Sequence, residues 1–342
     1  MKALALVSDP APETQAPTNK MKAIAQDEYG SSEKLELREV DRPVLDDDES
    51  VLVRVRAASV NALDWRVMRG LPYLVRTAEG WRRPETKIRG VDFAGHVEAV
   101  GKDVTEFEPG DEVFGQRAGA LAEFVVAKEA NVAPKPANLS LEQAATLPCA
   151  GLTALQALRH KAGVEPGQQV LINGAGGGVG TFAVQIAKAL GAEVTAVCAT
   201  HNVELARSIG ADHVIDYTKE DFTRTDERYD VLFDNAGNRK LRHLRRVLTP
   251  TGTVVFVGAP HFRFVAPLLA LAGAKIADRF TEQRLLPFLS KPNKEDLLTL
   301  KELVESGKVT PVIDRTYPLS EAPDAIAYLE QGHAEGKVVI TV

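Results

Sequence analysis

The chain has 342 residues and a formal net charge of −6. That length suits about two domains, and the acidic balance argues against a nucleic-acid or membrane-surface partner. Two cysteines, Cys149 and Cys198, leave no room for a disulfide framework and point to a reducing, cytoplasmic compartment.

No signal peptide is expected, because Asp9 and the nearby prolines interrupt any apolar core. Met1-Lys2-Ala3 is echoed by Met21-Lys22-Ala23, and the stretch between is rich in Pro, Thr and Ala. Residues 1–20 therefore read as a disordered tail, with the fold starting at Met21. From Lys22 to Pro134 the pattern is β. Leu35 to Val40 and Val51 to Arg56 alternate apolar and charged side chains, and turn residues break the runs as in a small barrel. Arg76, Arg82, Arg83, Lys87 and Arg89 read as a solvated loop with Glu79 and Glu85 as counterions, set against a lid for anionic substrates. Leu141 to His160 reads as a helix leading into a second domain.

The most telling stretch runs from Gln169 to Cys198, QVLINGAGGGVGTFAVQIAKALGAEVTAVC. An apolar strand, a glycine-dense turn, an amphipathic helix over Thr181 to Leu190, a Gly191 stop and a second strand form one βαβ unit. Such a turn binds a dinucleotide pyrophosphate. Gly177 lets backbone amides approach the phosphates, Gly180 lets helix and strand pack closely, and the helix N-terminus faces the anion. Ala175 stands at the first glycine position, preceded by Gly174. A strand-to-helix turn without a ligand is the alternative.

Alternation continues: a helix over Val203 to Ile209, strands at Val214 to Asp216 and Val231 to Phe233, and a basic helix over Leu241 to Leu248 with Leu241, Leu244 and Leu248 turned inward. A Thr249-Pro250-Thr251-Gly252 turn precedes a strand over Thr253 to Val257. Phe264 to Ala274 is apolar over about half a membrane span and reads as a buried helix. A long helix follows Lys294, and Lys337 to Val342 is a β run that can pair back with the first domain. The reading is an α/β chain in which a doubly wound parallel sheet (146–293) is inserted in a β domain (21–145 and 294–342).

Four more stretches carry a resemblance: Ala58 to Asp64 (ASVNALD), Gly90 to Val97 (GVDFAGHV), Leu147 to Ala154 (LPCAGLTA) and Gly336 to Ile340 (GKVVI). With the glycine turn they make the chain resemble, from Met21 to Val342, the medium-chain dehydrogenase/reductase superfamily. The similarity is to its zinc-independent quinone oxidoreductase branch, which includes zeta-crystallin and whose bacterial members are often labelled NAD(P)-dependent alcohol dehydrogenases. The resemblance implies a GroES-like β domain carrying an inserted Rossmann domain, and a homodimer through the region after Thr253.

Zinc members of that superfamily use two cysteines and a histidine. Here Asn61 and Val91 stand at two of those positions and only Cys149 at the third, so no metal is expected. Cys149 reads as a small buried hydrophobe, set against a pocket-lining role. Without a Lewis acid the favoured hydride acceptors are those that spread charge themselves, namely quinones and conjugated enones or enals.

Asn61 is the candidate donor to the acceptor oxygen, set against a structural amide. Asp64 and Tyr73 are weaker catalytic candidates, set against a cap and a packing residue. Phe262 and Phe264 could wall the pocket or simply pack. No acid follows Val197 at the end of the second strand, where one would grip a ribose hydroxyl; Cys198, Thr200 and His201 stand there instead. With Tyr217, the family's phosphate-side tyrosine, they point to NADPH.

The cofactor contacts implied by the family pattern are Thr153, Gly174, Ala175, Gly177, Gly178, Val179 and Gly180, then Asn235, Val257, Gly258, Ala259 and Lys337. The resulting expectation is an NADPH-dependent, metal-free reductase of a small apolar or planar carbonyl compound. A trans-enoyl thioester reductase, an alcohol dehydrogenase and a non-catalytic NADPH-binding protein remain as alternatives.

Overall fold

The computed structural model describes residues 19–258 and 282–342. A two-stranded ribbon opens the chain, β1 (Lys20–Ala25) against β2 (Glu36–Asp41). The first strand thus begins at Lys20, one residue inside the stretch read as tail. β3 (Ser50–Val60) follows, then α1 (Ala62–Arg69), the short α2 (Arg76–Glu79), β4 (Asp92–Val100), β5 (Glu112–Gln116), β6 (Phe124–Lys128) and β7 (Val132–Pro134). The segment read as one helix from Leu141 is broken into α3 (Leu141–Ala144) and α4 (Pro148–Leu155), continued by a wider i→i+5 turn over Gln156–Ala162. Pro148 is the reason for the break: lacking an N–H, it starts a helix rather than continuing one.

A parallel sheet occupies the middle of the chain. It contains β8 (Gln169–Asn173), β9 (Glu193–Cys198), β10 (His213–Asp216), β11 (Tyr229–Asp234), β12 (Leu248–Phe256) and β13 (Arg284–Pro287). Helices α5 (Gly178–Ala189), α6 (Val203–Ser208) and α7 (Leu241–Arg246) connect them. Their spatial order is β10-β9-β8-β11-β12-β13. The chain winds outward from β8 to β10, then crosses to β11 on the other flank of β8. The winding reverses between β8 and β11, and a crevice opens at their carboxyl ends. The expected turn over Thr249 to Gly252 is absorbed into β12: Tyr229 faces Leu248 and Val231 faces Thr253, so the intervening residues bulge.

The chain returns to the β domain through α8 (Lys294–Glu305), β14 (Ile313–Pro318), α9 (Ala322–Glu330) and β15 (Lys337–Thr341). β15 runs antiparallel to β3, with Val338 opposite Val60, so the expected closing pair forms. One apolar core joins both sheets: Phe114 and Val339 from the β domain, Leu152 and Leu155 from α4, Leu300 from α8, and Val170 and Phe182 from the parallel domain belong to a single cluster. Burying each such side chain is worth about 1.5–3 kcal/mol. Among the described residues no helix is long and apolar enough to cross a membrane. Ala259, Phe262, Phe264 and the apolar stretch to Ala274 lie outside the described residues.

Candidate active site

The glycine turn sits at the crevice. α5 starts at Gly178, three residues earlier than the pattern implied, and no side chain caps it. Its first amides therefore point free into the crevice, with the positive end of the helix dipole behind them. Gly174 has φ +90°, a conformation that requires glycine. A Cβ on Gly180 would lie 2.1 Å from the Gly174 carbonyl, and one on Gly258 2.0 Å from the Asn235 carbonyl. At Gly177 a Cβ would meet nothing closer than 3.9 Å. The turn is thus closed on its packing side and open on its crevice side. Ala175 is fully buried and Val179 half-buried beneath it.

Asn235 stands beside Gly174, its amide 3.5 Å from that carbonyl. Val257 and Gly258 are held at the end of β12 by the Asp234 carbonyl. Asn202 packs against Gly176, and its Oδ1 is buried without a partner. An orphaned acceptor behind a cradle open to phosphate is what a ribose hydroxyl would satisfy. The residues present fit a dinucleotide.

The adenosine end corrects one expectation. No acid follows Val197 in sequence, but parallel pairing sets Asp216 beside Cys198. Thr200 donates its hydroxyl to Asp216 (2.7 Å) rather than keeping it for a ligand. Thr218 donates to the other carboxylate oxygen through both N–H and hydroxyl, and Lys219 lies 3.0 Å away. The hydrogen bonds from Thr200 and Thr218 hold Asp216 far below the usual carboxylate range. His201 is exposed and 3.8 Å from Glu335, Tyr217 is half-exposed, and burial pushes the Cys198 thiol up to about 11.

Against this cradle lies a buried cluster that no single sequence motif contains. Lys337 is 2 % exposed, and its stem would meet a Cβ on Gly178 at 3.0 Å. Its ammonium donates to Asn61 Oδ1 (2.5 Å) and the Val60 carbonyl (3.3 Å) and stands 3.6 Å from Asp92. A lysine can only donate, which fixes the Asn61 amide orientation. Asn61 Nδ2 then donates to Asp92 (2.8 Å) and faces the Ser59 carbonyl at 3.4 Å. Both amide hydrogens are engaged within the protein, so Asn61 positions the cluster and is not the free donor the sequence suggested.

Asp92, fully buried in β4, also accepts from Ser59 Oγ (2.9 Å) and the Cys149 N–H (2.9 Å). Each of its hydrogen-bond partners is a donor. Burial pushes its pKa up, and Lys337, Asn61, Ser59 and Cys149 pull it back. Burial and the Asp92 charge push the Cys149 thiol far up, so it is a protonated thiol at the cluster's edge.

Asp64 closes the other side. Its carboxylate accepts the Asn61 N–H at 2.6 Å, a cap on α1, as the alternative reading had it. It is 3 % exposed, and burial raises its pKa to about 7. Tyr73 lies half-buried in the turn after α1, 4.8 Å beneath the Arg76 guanidinium. Thr153, on α4, donates to the Cys149 carbonyl and touches Ser290 Oγ. Arg89 was read as part of a solvated loop; it is 3 % exposed, because its backbone pairs with Ile24 and draws the side chain inward.

Sequence reasoning passed over Asp92 and gave Lys337 to the cofactor alone. The signal was there: Asp92 and Lys337 each open a strand whose next three residues are uncharged and buried.

Residues 47–137 match the family model described as alcohol dehydrogenase GroES-like domain, and residues 209–340 the one described as zinc-binding dehydrogenase. The chain is 36% identical to the mitochondrial NAD(P)H oxidoreductase RTN4IP1 of Mus musculus, covering 96% of this chain and 91% of the relative. It is 36% identical to the 2-methylene-furan-3-one reductase of Solanum lycopersicum, over 94% and 79%. The quinone oxidoreductase structure from Coxiella burnetii superposes with a TM-score of 0.82 at 33% identity, covering 94% of this chain and 99% of that one.

Proposed function

The chain belongs to the medium-chain dehydrogenase/reductase superfamily, in its zinc-independent quinone oxidoreductase-like branch, and from that premise we propose that it uses NADPH to reduce quinones or conjugated enones and enals. An oxidoreductase with a nicotinamide cofactor is the firm part of that statement. The observation that carries the rest is the contact of Lys337 with Gly178. It sets a buried, donor-rich polar cluster against the turn that would hold the pyrophosphate. The glycine turn and the start of α5 would bind the phosphates, Asn202 a ribose, and Asn235, Val257 and Gly258 would border the nicotinamide end. The cofactor, when bound, supplies the hydride; the protein supplies orientation and a water-poor pocket.

Conjugated acceptors suit this site because Asn61, already bound to Lys337 and Asp92, and Val91, without a donor atom, do not make a ligand set for a Lewis acid that would stabilise a simple alkoxide. The name of the tomato relative describes a conjugated enone, and that of the Coxiella structure a quinone reductase. NADPH is favoured because both Asp216 oxygens are already engaged by Thr200, Thr218 and Lys219 and are not left open for a ribose hydroxyl. His201 and Tyr217 remain exposed to meet a 2′-phosphate. The outer edge of β13 is unpaired among the described residues, which supports a homodimer through that edge. Both thiols are free, in keeping with a reducing compartment.

The test is NADPH oxidation with a quinone, an enal, an enoyl-CoA and a simple ketone. Turnover of the first two, with little of the last, is expected. Turnover of the simple ketone alone would overturn the reading, and preference for enoyl-CoA would move it to the thioester class.

A further inference from the structure

One segment of the β domain reaches across to the cofactor cradle. Residues 335–337, which lead into β15, lie against the start of α5. A Cβ on Gly178 would stand 3.2 Å from the Gly336 carbonyl oxygen and 3.0 Å from the Lys337 stem. Lys337 enters the buried cluster. Glu335, two residues earlier, reaches the parallel domain instead: its Oε1 stands 3.8 Å from Nε2 of His201, in the turn after β9. The two domains thus meet over the adenosine end of the crevice.

The backbone fixes where Glu335 sits. Its N–H donates to Asp314 Oδ2 at 3.0 Å, and the Tyr328 hydroxyl donates to the same oxygen at 2.8 Å. Gly336 follows with φ +121°, packed so closely that a Cβ would lie 2.6 Å from the Val312 carbonyl. The Lys337 N–H donates to that carbonyl at 2.8 Å. Between these anchors the carboxylate is carried by tied-down chain.

A half-exposed ion pair at 3.8 Å adds little to stability, so holding the domains together is a poor account of Glu335. Its position says more. In a doubly wound sheet the adenosine ribose lies at the end of the second strand, where an acid accepts its 2′-hydroxyl. Here β9 is that strand, and no acid follows it directly. Asp216, beside Cys198, is taken up by Thr200, Thr218 and Lys219. The carboxylate that stands against His201 comes from the other domain.

We propose that Glu335 is the coenzyme-discriminating acid of this chain, a carboxylate supplied by the β domain that accepts the ribose 2′-hydroxyl and opposes a 2′-phosphate. The proposal rests on the nicotinamide-cofactor reading above. An ionised carboxylate only accepts, so it pairs with a hydroxyl. Beside a phosphate, which carries close to two negative charges, it repels. His201 and Tyr217 favour the phosphate, so Glu335 narrows the preference for NADPH without reversing it.

Fluorescence titration of the full-length protein with NADPH and with NADH reads both dissociation constants without any acceptor. In Glu335→Gln the ratio of the NADH constant to the NADPH constant should rise at least about tenfold, with NADPH bound tighter and NADH weaker. Glu335→Lys should move the ratio further the same way. Salt screens repulsion, so the gain in NADPH affinity should shrink at high ionic strength. Calorimetry with 2′,5′-ADP and 5′-AMP, which lack the nicotinamide, should show the same shift and so locate it at the adenosine end. The shift should persist in a His201→Asn background. A ratio that stays put in both Glu335 variants overturns the proposal. So does a shift seen only while His201 is present, because Glu335 would then act by holding His201. If the wild type binds neither cofactor, the cofactor reading fails and the proposal with it; if it binds both and the ratio does not move, the role of Glu335 alone fails.

Discussion

The dinucleotide cradle is built of backbone, whereas the cluster beside it is built of side chains. In the cradle, glycines at 174, 177 and 180 remove Cβ atoms so that peptide groups approach each other and the crevice. In the cluster, Asn61, Asp92 and Lys337 fill a sealed space with matched donors and acceptors. The first kind of site is damaged by adding an atom, the second by removing a charge. Backbone sites are also local in sequence. Side-chain clusters draw on whatever the topology brings together, here residues 59–64, 92, 149 and 337.

The largest effect should come from unbalancing the cluster. Lys337→Met leaves the Asp92 carboxylate buried without its cation, and losing one partner of a buried pair costs about 3–5 kcal/mol. Burial already raises the Asp92 pKa. In the variant it rises further, so the folded state binds a proton that the unfolded state has released. The stability deficit should therefore shrink as pH falls and grow as pH rises through the folded pKa. Urea unfolding at several pH values measures this. A deficit that does not depend on pH would mean that Asp92 is not the group left stranded. Lys337→Met combined with Asp92→Asn should recover part of the loss.

The cradle supplies the converse test. Gly180→Ala forces a methyl to 2.1 Å from the Gly174 carbonyl and should cost about 3 kcal/mol in stability. Gly177→Ala meets nothing closer than 3.9 Å and has an ordinary negative φ, so its melting temperature should stay near wild type. Its NADPH affinity should fall at least about tenfold, because the methyl occupies the open crevice side. If both variants unfold alike, the turn is a structural device without an open face.

The same contrast explains what could be read from the sequence. The βαβ unit was legible because strand, turn and helix are contiguous from Gln169 to Cys198, and the return of β15 to β3 because Lys337 to Thr341 is an apolar run. Helix starts were misplaced where backbone geometry ruled: α5 begins within the glycines, and Pro148 splits the helix read from Leu141. Asp216 was missed because it belongs to β10 and reaches Cys198 only through parallel pairing. Arg89 was assigned to solvent because its neighbours are charged, whereas bridge pairing of the segment before β4 with β1 turns it inward. The cluster itself shows only as single polar residues at the ends of β3, β4 and β15, a pattern that gives no partner.

A smaller effect is expected in cofactor choice. NADPH should bind at least about tenfold tighter than NADH, a difference of about 1.4 kcal/mol. Thr200→Asp places a second carboxylate beside Asp216 and should reverse the order through repulsion of the 2′-phosphate. Equal dissociation constants for the two cofactors in the wild type would count against His201 and Tyr217 as the phosphate side.

The smallest effect, none, is expected from a strong chelator. Three positions decide this. Asn61 has its oxygen on Lys337 and its amide hydrogens on Asp92 and Ser59. Val91 offers no donor atom. Cys149 is the remaining candidate, and burial beside the Asp92 charge keeps its thiol protonated, whereas a metal requires the thiolate. Asp92 lies within the cluster, but its oxygens already accept from Ser59, Asn61 and Cys149 beside the Lys337 ammonium. A cation there would have to displace that ammonium and face its positive charge. Among the described residues no group of three His, Cys, Asp or Glu side chains is placed to hold a metal. Quinone turnover should therefore be the same before and after chelation, and elemental analysis should find no stoichiometric zinc. Zinc at one per chain, with turnover lost on chelation and restored by zinc, would show that the cluster rearranges around a metal and that the donor network drawn above describes a resting form.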